Sequence, residues 1–340
     1  MNIAYGGIDD KEKRALKFLY NKSGIDTRYS VIKDYSADMS EWEFYPQNAD
    51  LEPFPGVEQR MDWFERHACT LSLEAATKCL EGKAAANEIT HLITVSCTGM
   101  SAPGLELALM NALQLPASVD RSTVNFMGCY AAVHGLKQAN DIVLAHPQAK
   151  VLVVCTELCT IHFQKTYSPE SIISPILFGD GSVAVLVTAD DHPGPGLHLD
   201  SFYAEVVKNS QSDMTWRISK NGFVMTLSGE VPGIFEIDIV PLKQRALQKA
   251  GLAAGDIKYW DLHPGGKRIL ERLQVGLQLT DEDAKYSYDI LRRYGNMSSP
   301  TILFVLNEIW EANKTDKGAH IFGAAFGPGL TMESMIMTIV

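Results

Sequence analysis

The chain has 340 residues, 46% of them apolar, and a formal net charge of −11 at pH 7. That length supports one large domain or two of ordinary size, and an acidic balance without a long basic block excludes a nucleic-acid backbone as the main partner. No apolar run approaches the ~20 residues that cross a bilayer, the start lacks a signal-peptide pattern, and the six cysteines read as free thiols of a cytoplasmic protein.

The first helical pattern carries Lys11, Lys13, Arg14, Lys17 and Lys22, which taken alone read as a solvated helix face. Helical patterns at 61–80, 104–114 and 130–146 then alternate with β-rich runs at 91–97, 123–127, 150–157 and 182–189. This alternation predicts an α/β protein, and the unbroken apolar run Val151, Leu152, Val153, Val154 predicts a strand buried on both faces. A proline- and glycine-rich connector at 192–196 divides the chain into halves at 1–192 and 193–340. In the second half, strands are expected at 197–207, 222–228 and 257–263. Helices are expected from Val231 to near 250, at 265–277 and at 299–313, and residues 319–340 return to strand around a glycine turn. Two halves of similar length and pattern suggest an internal structural duplication.

Cys129 follows a β-rich run that ends in Gly128 and precedes a helical pattern. A cysteine at the first turn of a helix feels the dipole and unpaired amides, which favour thiolate; an isolated Gly-Cys pair by itself reads rather as a buried structural cysteine. His263 stands before Pro264-Gly265-Gly266, and Asn296 stands between Gly295 and the capping residues Ser298 and Ser299. Cysteine as nucleophile, histidine as imidazolium partner or donor, and asparagine as neutral donor form a set suited to thiolate chemistry. Asn296 also reads as a simple cap or Asx turn. The run 323–331 has the glycines and proline of a shaped loop, suited either to aiming amides at a carbonyl or to joining two strands. Cys155, Cys159 and His162 match no zinc spacing, and strand alternation would place both cysteines on one face; no metal is expected.

Gly128 to Ala131, His263 to Gly266, Gly295 to Ser299 and Phe326 to Thr331 together resemble the type III polyketide synthases, the chalcone synthase-like branch of the thiolase superfamily, over residues 11–340. The resemblance implies a five-layered αβαβα fold of two duplicated halves and a homodimer. It implies decarboxylative Claisen condensation of malonyl-CoA onto an acyl-CoA starter held by Cys129, with His263 and Asn296 beside it, ending in a pyrone or an aromatic polyketide. No cofactor is implied beyond the coenzyme A thioesters used as substrates. Phe178 takes the place of a gate phenylalanine. Met225 stands where plant members carry a second one, Cys159 and His162 replace cavity threonines, and Ala325 replaces a glycine of the terminal run. Ser298, Phe326 and Gly327 complete the expected substrate-binding set. Lys22 matches a coenzyme A-contacting cation, and Arg14 and Lys17 neighbour the family's other basic positions. The chain also starts without the family's first strand. A ketoacyl-synthase-III-like single condensation, a papain-like Cys-His-Asn hydrolase and a non-catalytic scaffold are the alternatives.

Overall fold

Asp9 starts the first helix by accepting the Glu12 amide at 2.7 Å, while the Glu12 carboxylate returns a bond to the Asp9 amide at 2.9 Å. This reciprocal cap satisfies two amides that a helix start leaves open. The computed structural model describes residues 5, 7–167, 172–189 and 194–340. Residues 192–193 of the expected connector lie outside the described residues.

The capped helix is α1 (Asp10–Lys22), and an irregular strap leads from it to α2 (Val57–Leu80). The first half continues as β1 (His91–Ser96), α3 (Leu105–Ala112), β2 (Asp120–Asn125), α4 (Ala131–Ala145), β3 (Val151–Leu158), α5 (Ile173–Leu177) and β4 (Asp180–Val187). The second half runs β5 (Leu197–Val206), β6 (Met214–Ser219), β7 (Gly222–Leu227), α6 (Val231–Ala250), β8 (Ile257–Leu262), α7 (Lys267–Leu277), α8 (Asp281–Tyr294), α9 (Pro300–Asn313), β9 (His320–Gly327) and β10 (Thr331–Ile339). Sequence periodicity located most of these to within a few residues. It missed the five-residue α5, β6, whose pattern is polar and half-exposed, and α8, which begins with a run of acids.

The first sheet has the order β2-β1-β3-β4, parallel except for β4, and the second has the order β5-β10-β9-β8, with only β8 and β9 parallel. Three apolar cores stack these sheets with helices. One packs α2 and α3 on the outer face of the first sheet through Leu92, Leu152 and Val154. The next places α4 and α9 between the sheets, touching Val153 on one side and Ile321 and Met335 on the other. A third packs α6 and α7 on the outer face of the second sheet through Trp260, Phe322 and Ile336. The result is the five-layered αβαβα arrangement of the thiolase fold. Every residue of β3 is buried, as expected for a strand covered on both faces.

One local expectation fails. Cys159 is not a strand residue: β3 ends at Leu158, and Cys159 opens a 3₁₀ turn to His162, so Cys155 joins the central core while Cys159 faces a cavity. The run 323–331 joins two strands around a short turn at Pro328–Leu330, with Ala325, Phe326 and Gly327 paired to β10 as part of β9.

Candidate active site

Both sheets direct their strand ends toward one point. After β2, Phe126 and Gly128 take positive φ values of 57° and 88°, which reverses the chain and delivers Cys129 to the head of α4. A methyl group at Gly128 would sit 2.2 Å from Cδ of Pro328, and one at Gly327 would sit 2.6 Å from the Tyr130 ring. The β9–β10 turn therefore packs directly on the cysteine elbow, and bare backbone is required on both sides.

His263 is the first residue beyond β8; its amide donates to Ala324 O at 2.9 Å, and its carbonyl accepts from the Gly265 amide at 2.9 Å. Asn296 pairs by backbone with the Phe178 segment: its amide donates to Leu177 O at 2.8 Å, and its carbonyl accepts from the Gly179 amide at 3.0 Å. One hydrogen bond ladder thus fixes Asn296 and Phe178 side by side. The Asn296 side chain also makes the turn anticipated for it, since Oδ1 accepts from the Ser298 amide at 2.7 Å, while Nδ2 donates to Gly265 O at 3.3 Å. Its second Nδ2 hydrogen is free of that bond.

Cys129, His263 and Asn296 share the wall of a small cavity of about 30 Å³, completed by Phe178, Met225 and Phe326 among others. Cys129, Phe178 and Met225 also border a cavity of about 600 Å³ that reaches Cys159, His162 and Ser298. Ala325 and Gly327 contribute to neither wall; both are buried strand residues, and Gly327 packs against Tyr130 at the elbow. Arg14, Lys17 and Lys22 lie exposed on α1, whose Tyr20 lines the larger cavity.

Burial works against the thiolate that the helix terminus favours. Burial pushes the Cys129 thiol up to about 11, and although hydrogen bonding with Ser298 and Asn296 works the other way, the nearby Glu157 charge adds to the rise. Desolvation outweighs the helix terminus here. Burial alone brings His263 down to about 3, and neither of its ring nitrogens has a hydrogen-bond partner among the described residues. Burial thus opposes the thiolate and the imidazolium alike.

Several residues of the site escaped sequence reasoning. Glu157 is buried at the end of β3, where Oε2 accepts from the Cys97 amide and Thr98 Oγ1, both at 2.8 Å, and Oε1 accepts from Ser299 Oγ at 2.7 Å. Ser299 therefore holds the N-cap position of α9 while giving its hydroxyl to Glu157 instead of the helix. A charged residue inside the otherwise uncharged strand Val-Leu-Val-Val-Cys-Thr-Glu-Leu was the available signal. Trp216, on the unforeseen β6, donates Nε1–H to Cys97 O at 2.7 Å and stands edge-on to His162, ring centroids 5.6 Å apart. His162 in turn stacks on Phe223 at 4.2 Å. Among the described residues no group of His, Cys, Asp or Glu is gathered to hold a metal ion.

Residues 7–191 match the family model for chalcone and stilbene synthases, N-terminal domain, and residues 198–340 match the C-terminal domain of the same family. The chain belongs to the chalcone and stilbene synthase family. An "alpha-pyrone synthesis polyketide synthase-like Pks18" of Mycobacterium tuberculosis is 32% identical over 340 residues, covering 98% of this chain and 84% of the relative. "Type III polyketide synthase C" of Arabidopsis thaliana is 30% identical, covering 96% of this chain and 86% of the relative. Among solved structures, PKS-I from the brown alga Ectocarpus siliculosus superposes with a TM-score of 0.91 at 30% identity, covering 97% of this chain and 90% of that one. The 1,3,6,8-tetrahydroxynaphthalene synthase of Streptomyces coelicolor gives 0.87 at 25% identity, covering 99% and 92%. This member is accordingly an acyltransferase of the type III polyketide synthase class, acting by Claisen condensation, and the hydrolase and scaffold alternatives fall away.

Proposed function

We propose that this synthase loads an acyl group from coenzyme A onto Cys129 and extends it with malonyl-CoA, using His263 and Asn296 as its neutral donors. The observation that carries the reading is the common wall: the three side chains come from elements far apart in sequence yet border one small cavity. In loading, Cys129 Sγ forms a bond to the acyl carbon, its proton passes to the imidazole, and the carbon–sulfur bond to coenzyme A breaks as that sulfur takes the proton. In extension, the bond to the malonyl carboxylate breaks and carbon dioxide leaves. The enolate oxygen then accepts from the His263 N–H and from Asn296 Nδ2–H, donors worth far more in a dry pocket than in water. The enolate carbon bonds to the acyl carbon, and Cys129 leaves as thiolate and is reprotonated.

Beyond Cys129 the cavity of about 600 Å³ has room for a growing chain, which favours repeated extension with cyclisation to a pyrone or aromatic product over a single condensation. Phe178 and Met225 stand between the small and large cavities as gate residues, and Cys159, His162 and Ser298 shape the larger one. Arg14, Lys17 and Lys22 supply positive charge for the phosphates of coenzyme A. The exposed edge strand β2, on which only Val124 is buried, supports a homodimer formed through this edge. Free thiols and coenzyme A substrates support a cytoplasmic location.

The test is turnover of malonyl-CoA with a panel of acyl-CoA starters, read by mass spectrometry. Condensed products and an acyl adduct on Cys129 are expected; product formation undiminished in Cys129→Ala would sink the assignment.

A further inference from the structure

No residue of α1 is buried, although the helix runs for 13 residues. Glu12, Leu16 and Tyr20, spaced four apart, form its half-buried inner face. The opposite face carries Lys11, Arg14, Ala15, Phe18 and Lys22, which at helical periodicity fall within a stripe about 100° wide. All five are exposed. Phe18 stands at the centre of the stripe, 59% exposed, and Leu19 at its margin is 37% exposed. Lys22 Nζ lies 5.9 Å from the Phe18 ring centroid.

The charge around Phe18 is one-sided. Asp10–Lys22 carries five Lys and Arg against two acids, in a chain whose net charge is −11. Glu12 is spent on the Asp9 amide, and Asp10 stands 3.9 Å from Lys13. Lys11, Arg14, Lys17 and Lys22 have no salt-bridge partner among the described residues. The phosphates of coenzyme A account for cations here, but they give no reason for an exposed aromatic ring in their midst.

The larger cavity opens beside this helix. Tyr20 lines it from the inner face of α1 and donates its hydroxyl to Pro175 O at 3.5 Å, while Tyr29, 59% exposed, and the exposed Ser30 line it at the surface. Pro175 lies on α5, just before β4, and β4 and β2 are opposite edges of the first sheet. A dimer formed through β2 therefore leaves α1 uncovered.

We propose that α1 docks the protein on an anionic lipid surface, with Phe18 and Leu19 entering the interface, the flanking cations meeting lipid phosphates, and the cavity opening at the bilayer. A basic helix with bulky apolar residues on its outer face lies in the plane of such an interface. Because the rest of the chain is acidic, an anionic surface attracts this face and repels the remainder, which sets the orientation. An acyl thioester is drawn to the same surface by its chain. The docking does not depend on the condensation chemistry.

The test is co-sedimentation of the full-length protein with vesicles of phosphatidylcholine alone and of phosphatidylcholine mixed with phosphatidylglycerol, at low and high salt. Binding to the mixed vesicles is expected, weakened by salt, with little binding to phosphatidylcholine. Phe18→Ser should weaken binding at least about tenfold, the loss for one aromatic side chain kept out of the interface, and Phe18→Leu should largely retain it. Lys11→Glu should weaken it about tenfold at low salt. Phe18 is exposed, so thermal unfolding of Phe18→Ser and its turnover of malonyl-CoA with a soluble short-chain starter, without vesicles, should match the wild type. Turnover and vesicle binding are separate readouts, so loss of the synthase reading and loss of the docking are told apart. No sedimentation with the anionic vesicles overturns the proposal, as does equal sedimentation of Phe18→Ser and wild type, or equal binding to neutral vesicles. A lower mass for Phe18→Ser by light scattering, without lipid, would assign the face to a second copy of the chain and overturn it too.

Discussion

Ser299 Oγ donates to Glu157 Oε1 at 2.7 Å and thereby ties the head of α9 to the end of β3 behind Cys129. The other Glu157 oxygen gathers the Cys97 amide and the hydroxyls of Thr98 and Ser96, so one buried carboxylate joins β1, β3 and α9. Desolvation raises its pKa first, and these donors pull it back. Replacing it with glutamine turns at least one of these donors against an amide hydrogen, and a loss of about 1–3 kcal/mol in unfolding free energy is expected from urea titration. The same change removes a negative charge that raises the Cys129 thiol, so its midpoint should fall below about 11 in a pH profile of alkylation rate. A midpoint that stays put or rises would show that burial alone sets the thiol.

His162 is held near 3 by burial, against about 6.5 when unfolded, and is uncharged in the folded state throughout neutral pH. Between those values the unfolded chain binds a proton that the folded chain refuses, so stability is lost as pH falls below about 6.5. Asp180, raised to about 6, acts in the opposite sense between its unfolded value and 6, which masks the effect in the parent protein. The variant His162→Gln isolates it. The slope of unfolding free energy against pH should fall by up to about 1.36 kcal/mol per pH unit between pH 6 and 4.5. Parallel curves for parent and variant would refute the assignment.

Trp216 closes one side of the larger cavity and spends its N–H on Cys97 O. In Trp216→Leu that carbonyl loses its partner and the cavity widens. Products with at least one more two-carbon unit should appear in the mass spectrum, together with a drop of about 1–3 kcal/mol in stability. A product set identical to the parent's would remove Trp216 from control of chain length.

The elbow before Cys129 tolerates no side chain at Gly128, where φ is 88° and the methyl group would meet Pro328 at 2.2 Å. Gly128→Ala should lower stability by about 1–3 kcal/mol and slow acylation of Cys129, read by intact-protein mass spectrometry over time. Full-speed acylation in a stable variant would show that the elbow geometry is not needed.

Asp261, on β8, is fully buried, and neither of its carboxyl oxygens has a hydrogen-bond partner among the described residues. A carboxyl whose folded pKa is raised contributes most at low pH and loses that contribution as pH rises past its unfolded value. Asp261→Leu should therefore gain thermal stability over the parent at pH 8 and gain less at pH 4, measured by calorimetry.

The sequence by itself determined most of the element list and brought forward Cys129, His263 and Asn296 as candidates. Period-2 and period-3.6 apolar patterns encode burial directly, and the glycines and prolines around Cys129, His263 and Asn296 mark chain reversals because few other residues adopt those backbone angles. It did not determine the ionisation of those residues. Local reasoning placed Cys129 in the field of a helix terminus and expected thiolate, whereas the solvent exclusion that raises its thiol and neutralises His263 is a property of all five layers together. The same holds for Glu157, Trp216 and Asp261, whose roles depend on β-strand register and on partners 60 or more residues away in the chain. Tertiary structure decided these because desolvation and long-range pairing are set by what surrounds a side chain in space, which no local pattern records.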